Sequence, residues 1–204
     1  MEIRRVKVSP ATMLQHIKML ETTTAKYPLK QVVVAAHNVP FNAQSARITD
    51  VVKGDLPNRI IVGFVKTEAY DGSFELNPFR FENFGVSTIK LKYGSWSIPF
   101  AEGIKVDYEN HRYSQGFDSL FKCLGYTGTH IDYADYEDGY ALYAFDLSPD
   151  PCSSDHFNIA RDGSMDIELT FANVPKNTSV TAIVYSEFDK VMEINKKRNA
   201  YMPK

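Results

Sequence analysis

The sequence has little of what defines disulfide-rich secreted proteins or membrane-spanning proteins. Two cysteines among 204 residues cannot build a disulfide framework, and no Cys-x-x-Cys pair indicates a zinc or redox site. No apolar run approaches the ~18 residues of a transmembrane helix, and the N-terminus (MEIRR) lacks a signal-peptide core. We therefore expect a soluble protein, made inside the cell, in which Cys123 and Cys152 are buried free thiols.

The sequence also lacks an excess of charge of either sign. The chain carries 23 Lys and Arg residues against 25 Asp and Glu residues, which leaves a formal net charge of −2. Such a balance gives no long-range attraction toward nucleic acid or anionic lipid. The side chains of the densest basic stretch, residues 196–198, are expected to be solvated. We therefore predict no specific nucleic-acid site.

Signatures of catalysis are absent as well. There is no Gly-x-Ser-x-Gly elbow, and the glycines at 125 and 128 lack the lysine of a phosphate-binding loop. Two acidic stretches carry a histidine, at residues 130–135 and 146–156, but neither has a recognised ligand spacing. Aspartates commonly stabilise turns. We predict no catalytic residue, no metal and no cofactor.

Aromatic residues are the one enrichment, with 12 Tyr and 13 Phe. Aromatic and β-branched side chains favour strands, and short apolar or alternating runs recur along the chain. The dipeptide at 94–95, Gly-Ser, predicts a tight hairpin between two of these runs. The predicted strands are residues 4–8, 30–38, 47–52, 59–66, 86–93, 96–98, 140–147, 165–172 and 180–188, the last extended by 191–194. The strand at 30–38 is predicted to be buried, because its apolar, β-branched run is too short for a helix.

Two segments have helical periodicity instead. Ser9-Pro10 provides an N-cap followed by proline, and apolar residues recur at three- and four-residue spacing from Met13 to Leu20. A second apolar face runs through residues 110–125. About eight of the predicted runs count as principal strands, and no βαβ alternation appears. We therefore predict one all-β domain over residues 1–204, an eight-stranded jelly-roll sandwich with two short helical insertions.

The segment 68–84 is predicted to be a long loop, although it contains four phenylalanines. Loops this aromatic either plug the end of a sandwich or bury against a neighbouring subunit. The face of the second helix offers a similar aromatic surface. The candidate subunit contacts are Phe74, Phe79, Phe81, Phe84, Tyr113, Phe117 and Phe121.

Several segments resemble the double jelly-roll major capsid proteins of Polinton (Maverick) elements and their adintovirus-like relatives. The resemblance is carried mainly by GYALYAFDLSPD at 139–150, FNIARDGS at 157–164 and DIELTF at 166–171. Further matches are LETTTAKYP at 20–28, LPNRIIVGFV at 56–65, LNPF at 76–79 and VYSEFD at 184–189. Together these segments span nearly the whole chain.

The resemblance implies a structural protein of a virus or transposon, located in the virion capsid and synthesised in the cytoplasm or nucleus of a host cell. It implies self-association into trimers and a capsid lattice around DNA, with a minor capsid (penton) protein as a further partner. The family carries two jelly rolls in one polypeptide, so this chain corresponds to the C-terminal half or to a stand-alone descendant.

Two other functions are compatible with a jelly roll. One is a cellular binding module, lectin-like or cytokine-like, that recognises a ligand through its loops. The other is a cupin-type metalloenzyme, which the lack of clustered histidine and carboxylate ligands disfavours. The sequence favours the capsid protein over both.

Overall fold

The computed structural model describes residues 5–40, 42–124, 130–148, 161–173 and 178–202. It divides into two compact units, one formed by Met1–Gln31 with Asp189–Lys204 and the other by Val32–Phe188. The strands are β1 (Ala25–Val39), β2 (Ser45–Asp55), β3 (Arg59–Lys66), β4 (Val86–Tyr93), β5 (Trp96–Ile98), β6 (Ile104–Lys105), β7 (Leu142–Asp146), β8 (Asp162–Phe171), β9 (Val180–Ile194) and β10 (Ala200–Tyr201). The helices are α1 (Pro10–Thr22), α2 (Thr67–Gly72), α3 (Ser114–Leu124) and α4 (Tyr133–Glu137).

The larger unit is built from two sheets. One has the strand order β1-β9-β3-β7 and the other the order β2-β8-β4-β5, with β6 pairing with β4. The chain therefore alternates between the sheets from β1 to β4 and again from β7 to β9. This is the topology of a jelly roll, and the predicted fold class is confirmed.

The core lies between the two sheets, where alternate side chains of each strand are buried. On β3, Ile60, Val62 and Phe64 are inaccessible to solvent, because residues two apart share one face of a strand. Facing side chains come from β4 and β8, of which Ile89 and Ile167 are also inaccessible. This apolar period of two is the signal that predicted strands in the sequence.

The predicted strand at 4–8 is wrong. Residues 5–9 have no regular structure, and Arg4 lies outside the described residues. Val6 and Val8 alternate as in a strand, but both are more than half exposed, so no core face holds them. The helix predicted after them is confirmed: Ser9 caps α1 by accepting a hydrogen bond from the backbone N–H of Thr12 at 3.3 Å.

Two helices were not predicted from the sequence. The expected loop after β3 begins with α2, and the acidic turn at 132–139 contains α4. These helices have six and five residues, which is too short for an apolar period of 3.6 residues to stand out. No helix among the described ranges is long and apolar enough to cross a membrane.

The smaller unit is organised around Glu193, near the end of β9. Its carboxylate accepts hydrogen bonds from the hydroxyls of Thr24, at 2.6 Å, and Tyr201, at 3.2 Å. Lys26 forms an ion pair with the same carboxylate at 3.7 Å. These contacts, led by the Thr24 hydrogen bond, lower the pKa of Glu193.

Candidate assembly surface

The connection between β3 and β4 presents aromatic side chains to solvent. Phe74 is fully exposed, and Phe79 retains 76% of its accessible surface. Tyr70, in α2, is also about half exposed, although the sequence did not single it out. Exposed aromatic rings desolvate favourably at protein interfaces, where they are enriched.

A local turn holds Phe79 in place. Asn77 accepts a hydrogen bond from the backbone N–H of Phe79 on its side-chain oxygen, at 2.9 Å. Its backbone carbonyl accepts a second bond from the N–H of Arg80, at 3.2 Å. Asparagine favours such turns because its side chain mimics a backbone carbonyl. The exposed ring therefore sits on an ordered turn, which reduces the entropy lost on binding.

Phe81 anchors the same loop to the sandwich. Its ring lies over Gly63 of β3, so closely that a Cβ at Gly63 would stand 2.6 Å from it. Its N–H donates to Gly139 O at 2.8 Å, and its carbonyl accepts from Ala141 N–H at 3.1 Å. The predicted contact Phe81 is therefore partly buried within its own domain, as is Phe84, which packs against the core.

The second predicted aromatic surface contains a cluster of tyrosines. The rings of Tyr108 and Tyr113 stack at 5.3 Å, and those of Tyr113 and Tyr133 at 4.3 Å. The hydroxyls of Tyr108 and Tyr143 are hydrogen-bonded at 2.8 Å. Burial raises the pKa of Tyr108 to about 12. Because Tyr113 is only 3% exposed, its ring supports the fold of this segment from inside.

Helix α3 carries the two remaining predicted contacts, Phe117 and Phe121. Their ring centroids lie 4.4 Å apart, and both side chains are half-buried. Phe117 also makes an edge contact with Tyr136 at 5.7 Å. The helix packs against β7 and β6 through buried Leu120, so it joins the two sheets at one side of the sandwich.

A cleft of about 770 Å³ opens at the end of the β3–β4 connection, where Phe84 lies in its wall. Its walls include Glu82, Asp107 and Glu109, against a single lysine, Lys66. Asn110 and the other hydrogen-bonding partners of Asp107 lower the pKa of that carboxyl group. Within the described parts of the chain, no three His, Cys, Asp or Glu side chains are arranged to hold a metal ion.

The acidic residues considered in the sequence are only partly described. His130, Asp132 and Asp135 lie in or beside α4 without converging on a common point. Asp150, Asp155 and His156 lie outside the described residues, as does Cys152. Cys123 is a buried free thiol, as predicted.

Two exposed aromatic residues at β5 were not among the predicted contacts. Trp96 begins β5 and is 74% exposed, and Phe100 follows the same strand and is about half exposed. A lone aromatic residue in a short strand gives no sequence signal that separates a buried ring from an exposed one. The surface comprising Tyr70, Phe74 and Phe79 is named the aromatic loop below.

Sequence comparison gives one relative without a described role. No family model matches the chain. The uncharacterized protein F54H12.2 of Caenorhabditis elegans is 26% identical over 187 residues, which cover 89% of this chain and 44% of the nematode protein. The chain therefore spans less than half the length of this curated relative.

Structural comparison finds similar folds in chains from the structures of a virus and a virophage. The capsid of the virus PBCV-1 aligns with a TM-score of 0.56 at 8% identity, over 94% of this chain and 54% of the capsid chain. A chain in the structure of the Sputnik virophage aligns with a TM-score of 0.50 at 14% identity, over 88% of this chain and 39% of that one. At these identities the likeness shows a shared fold, and the chain again spans about half of its match or less.

Proposed function

We propose that this chain is a capsid-forming jelly roll, which self-associates into the shell of a virus or virus-like element. The observation that carries the proposal is the aromatic loop: Phe74 and Phe79 are exposed, yet the loop is anchored through Phe81 and ordered by Asn77. An ordered, exposed pair of aromatic rings is expected of a subunit contact. The jelly-roll fold shared with the PBCV-1 and Sputnik capsids supports the same role.

The finer features of the proposal come from the resemblance to Polinton-type capsid proteins. The chain then acts as one jelly roll of a capsomer with trimeric, pseudo-hexagonal symmetry, in a virion shell that encloses DNA and meets a penton protein at its vertices. Phe117 and Phe121 form a second contact. The chain functions by burying surface between subunits and performs no catalytic step.

The proposal is tested by replacing both exposed phenylalanines, Phe74→Ser together with Phe79→Ser, and measuring the mass distribution of the full chain. Mass photometry and light scattering over a concentration series should show trimers for the unmodified chain. Truncating an interface aromatic often costs about 2 kcal/mol or more, so the double variant should associate at least tenfold more weakly.

The matched control is Trp96→Ser, which removes a ring that is as exposed as Phe79 but lies on β5. It should leave the trimer unchanged. A chain that stays monomeric at every concentration would contradict the proposal. Equal loss of association in the double variant and the control would contradict the role given to the aromatic loop.

A further inference from the structure

The sandwich has four edges, formed by β1 and β7 in one sheet and by β2 and β5 with β6 in the other. An edge strand presents unpaired N–H and C=O groups that can pair with another chain. Soluble proteins usually protect such edges with charges, prolines, bulges or a covering element. Three of these four edges are protected in one of these ways.

The edge at β7 is covered. Helix α3 packs against β7 and β6, and its Leu120 and Cys123 are buried. The backbone of β7 is therefore shielded on the side away from β3. No additional strand has access to it.

The edge at β2 is bulged and charged. The register of β2 against β8 shifts between Ile48 and Val52, and Asp50 adopts a positive φ of 53° within the bulge. Arg47, Asp50 and Lys53 add charges along the same strand. A strand that paired with β2 would face an irregular backbone and would have to remove water from these charges.

The edge formed by β5 and β6 is short and interrupted. These strands have three and two residues, respectively. Pro99 lies in the connection between them and has no N–H to donate. A partner strand therefore finds no continuous row of backbone groups here.

The edge at β1 lacks such protection from Val32 to Ala36. Among the described residues β1 pairs with β9 alone, and this run (VVVAA) contains no charge, proline or glycine. Val32, Val33 and Val34 are 47%, 44% and 61% exposed, so the prediction that this strand is buried is wrong. An exposed, uncharged, β-branched edge is the kind that pairs with another strand.

We propose that residues 32–36 of β1 pair antiparallel with the same residues of a second copy of this chain, about a two-fold axis. The charge pattern favours a second copy as the partner, since residues 32–36 of neither copy carry a charge. In the register centred on Val34, Val34 lies opposite its own copy, Val33 opposite Ala35 and Val32 opposite Ala36, so the run is self-complementary. This inference concerns the chain by itself and does not depend on the shell-forming role.

Single cysteines at positions 32 to 35 test the pairing, in a Cys152→Ser background where the buried Cys123 is the other thiol. Across a two-fold axis, each residue of displacement moves the paired Cα atoms roughly 6.6 Å further apart. Disulfides need Cα atoms within about 7 Å. Oxidation should therefore give a covalent dimer whose yield peaks sharply at one or two adjacent positions. A cysteine at Thr49, on the protected β2 edge, should give little dimer.

A second variant, Val33→Lys, measures the same contact without oxidation. Lysines on an edge strand oppose pairing with another strand, and this variant places one from each copy in the apolar contact. In the Phe74→Ser, Phe79→Ser background, which removes the contact proposed for the trimer, the dissociation constant of the dimer in sedimentation equilibrium should rise at least about tenfold. Val8→Lys is the control, because Val8 is comparably exposed and lies outside the strands. An unchanged dimer in Val33→Lys, or a cysteine yield without a maximum, would overturn the inference. Loss of trimers in the aromatic-loop variant with this dimer intact would separate the two proposals.

Discussion

Burial changes the acid–base chemistry of individual side chains in this domain. Loss of hydration disfavours the charged form of Cys123 and raises the pKa of its thiol to about 11, against an ordinary value of 9.0. The nearby guanidinium of Arg59 acts in the opposite direction but is outweighed. A thiol in this environment fills space in the core and is a poor nucleophile.

We therefore predict slow modification of Cys123. In the Cys152→Ser variant, an aromatic disulfide reagent at about pH 8 should react at least 100-fold more slowly with the native protein than with the protein in urea. The raised pKa alone makes the thiolate about 100-fold scarcer, and burial restricts access further. Equal rates in both conditions would show that α3 does not cover the thiol.

Among the elements, the β2–β8 pair depends on one carboxylate. Asp166 accepts a hydrogen bond from the backbone N–H of Asp50 at 2.9 Å, inside the bulge of β2. Arg47 donates two more, from Nε at 3.0 Å and from Nη2 at 2.6 Å. The Asp50 bond is the main cause of the lowered pKa of Asp166, and the Arg47 bonds contribute.

The variant Asp166→Asn should unfold more easily at neutral pH, by roughly 1–3 kcal/mol, because it weakens the contacts that hold the bulge. The folded state lowers the pKa of Asp166 below its ordinary value of 3.8. The stabilisation by the carboxylate is therefore present above that pH and is lost as the pH falls through the folded pKa. Urea unfolding at neutral and acidic pH measures it, and the difference between the proteins should shrink in acid.

Asp162→Asn provides the control on the same strand, since this residue is exposed at the start of β8. It should change the free energy of unfolding by no more than about 0.5 kcal/mol. A difference between Asp166→Asn and the unmodified chain that does not vary with pH would refute the role of the charge.

Prediction of the elements succeeded where the local pattern and the tertiary context agree. The strands β3, β4 and β5 begin and end where their alternation and the Gly94-Ser95 turn predicted. The predicted strand at 4–8 had the same alternation, but no strand in the described part of the chain pairs with residues 5–8. Alternation with a period of two indicates which residues share one face of a strand. It does not indicate whether that face packs against a core.

For the candidate site, the sequence identified the aromatic residues but not their environments. Phe74 and Phe81 belong to the same loop, yet one is fully exposed and the other lies on Gly63. Tyr113 was predicted as a contact and is buried in a stack with Tyr108 and Tyr133. Residue type alone does not distinguish an interface ring from a core ring, because both require apolar surroundings.

Over the whole molecule, stability should be unevenly distributed. The centre of the sandwich, from Ile60 to Phe64 in β3, is flanked by strands on both sides and buried between sheets. Helix α1 has no buried residue along its 13 positions. Its helical form depends mainly on its Ser9 cap and its own hydrogen bonds, with an exposed ion pair between Glu21 and Lys196 at 3.1 Å. Isolated helices of this length are marginal in water.

Hydrogen–deuterium exchange read out by mass spectrometry should show this difference. Peptides from β3 should exchange only through global unfolding, whereas peptides from α1 should exchange many orders of magnitude faster. Binding of any partner that covers α1 would slow its exchange. Comparable protection of α1 and β3 in the isolated chain would contradict the prediction.

The sequence by itself determined that the chain folds mainly into strands, because alternation, turn residues and aromatic content are local properties that each segment carries. The topology required the tertiary structure. The order of strands in each sheet, the covering of β7 by α3 and the open edge of β1 all depend on pairings between residues far apart in the chain. Those pairings bury Tyr113, partly bury Phe81 and leave Phe74, Phe79 and Val33 exposed to solvent.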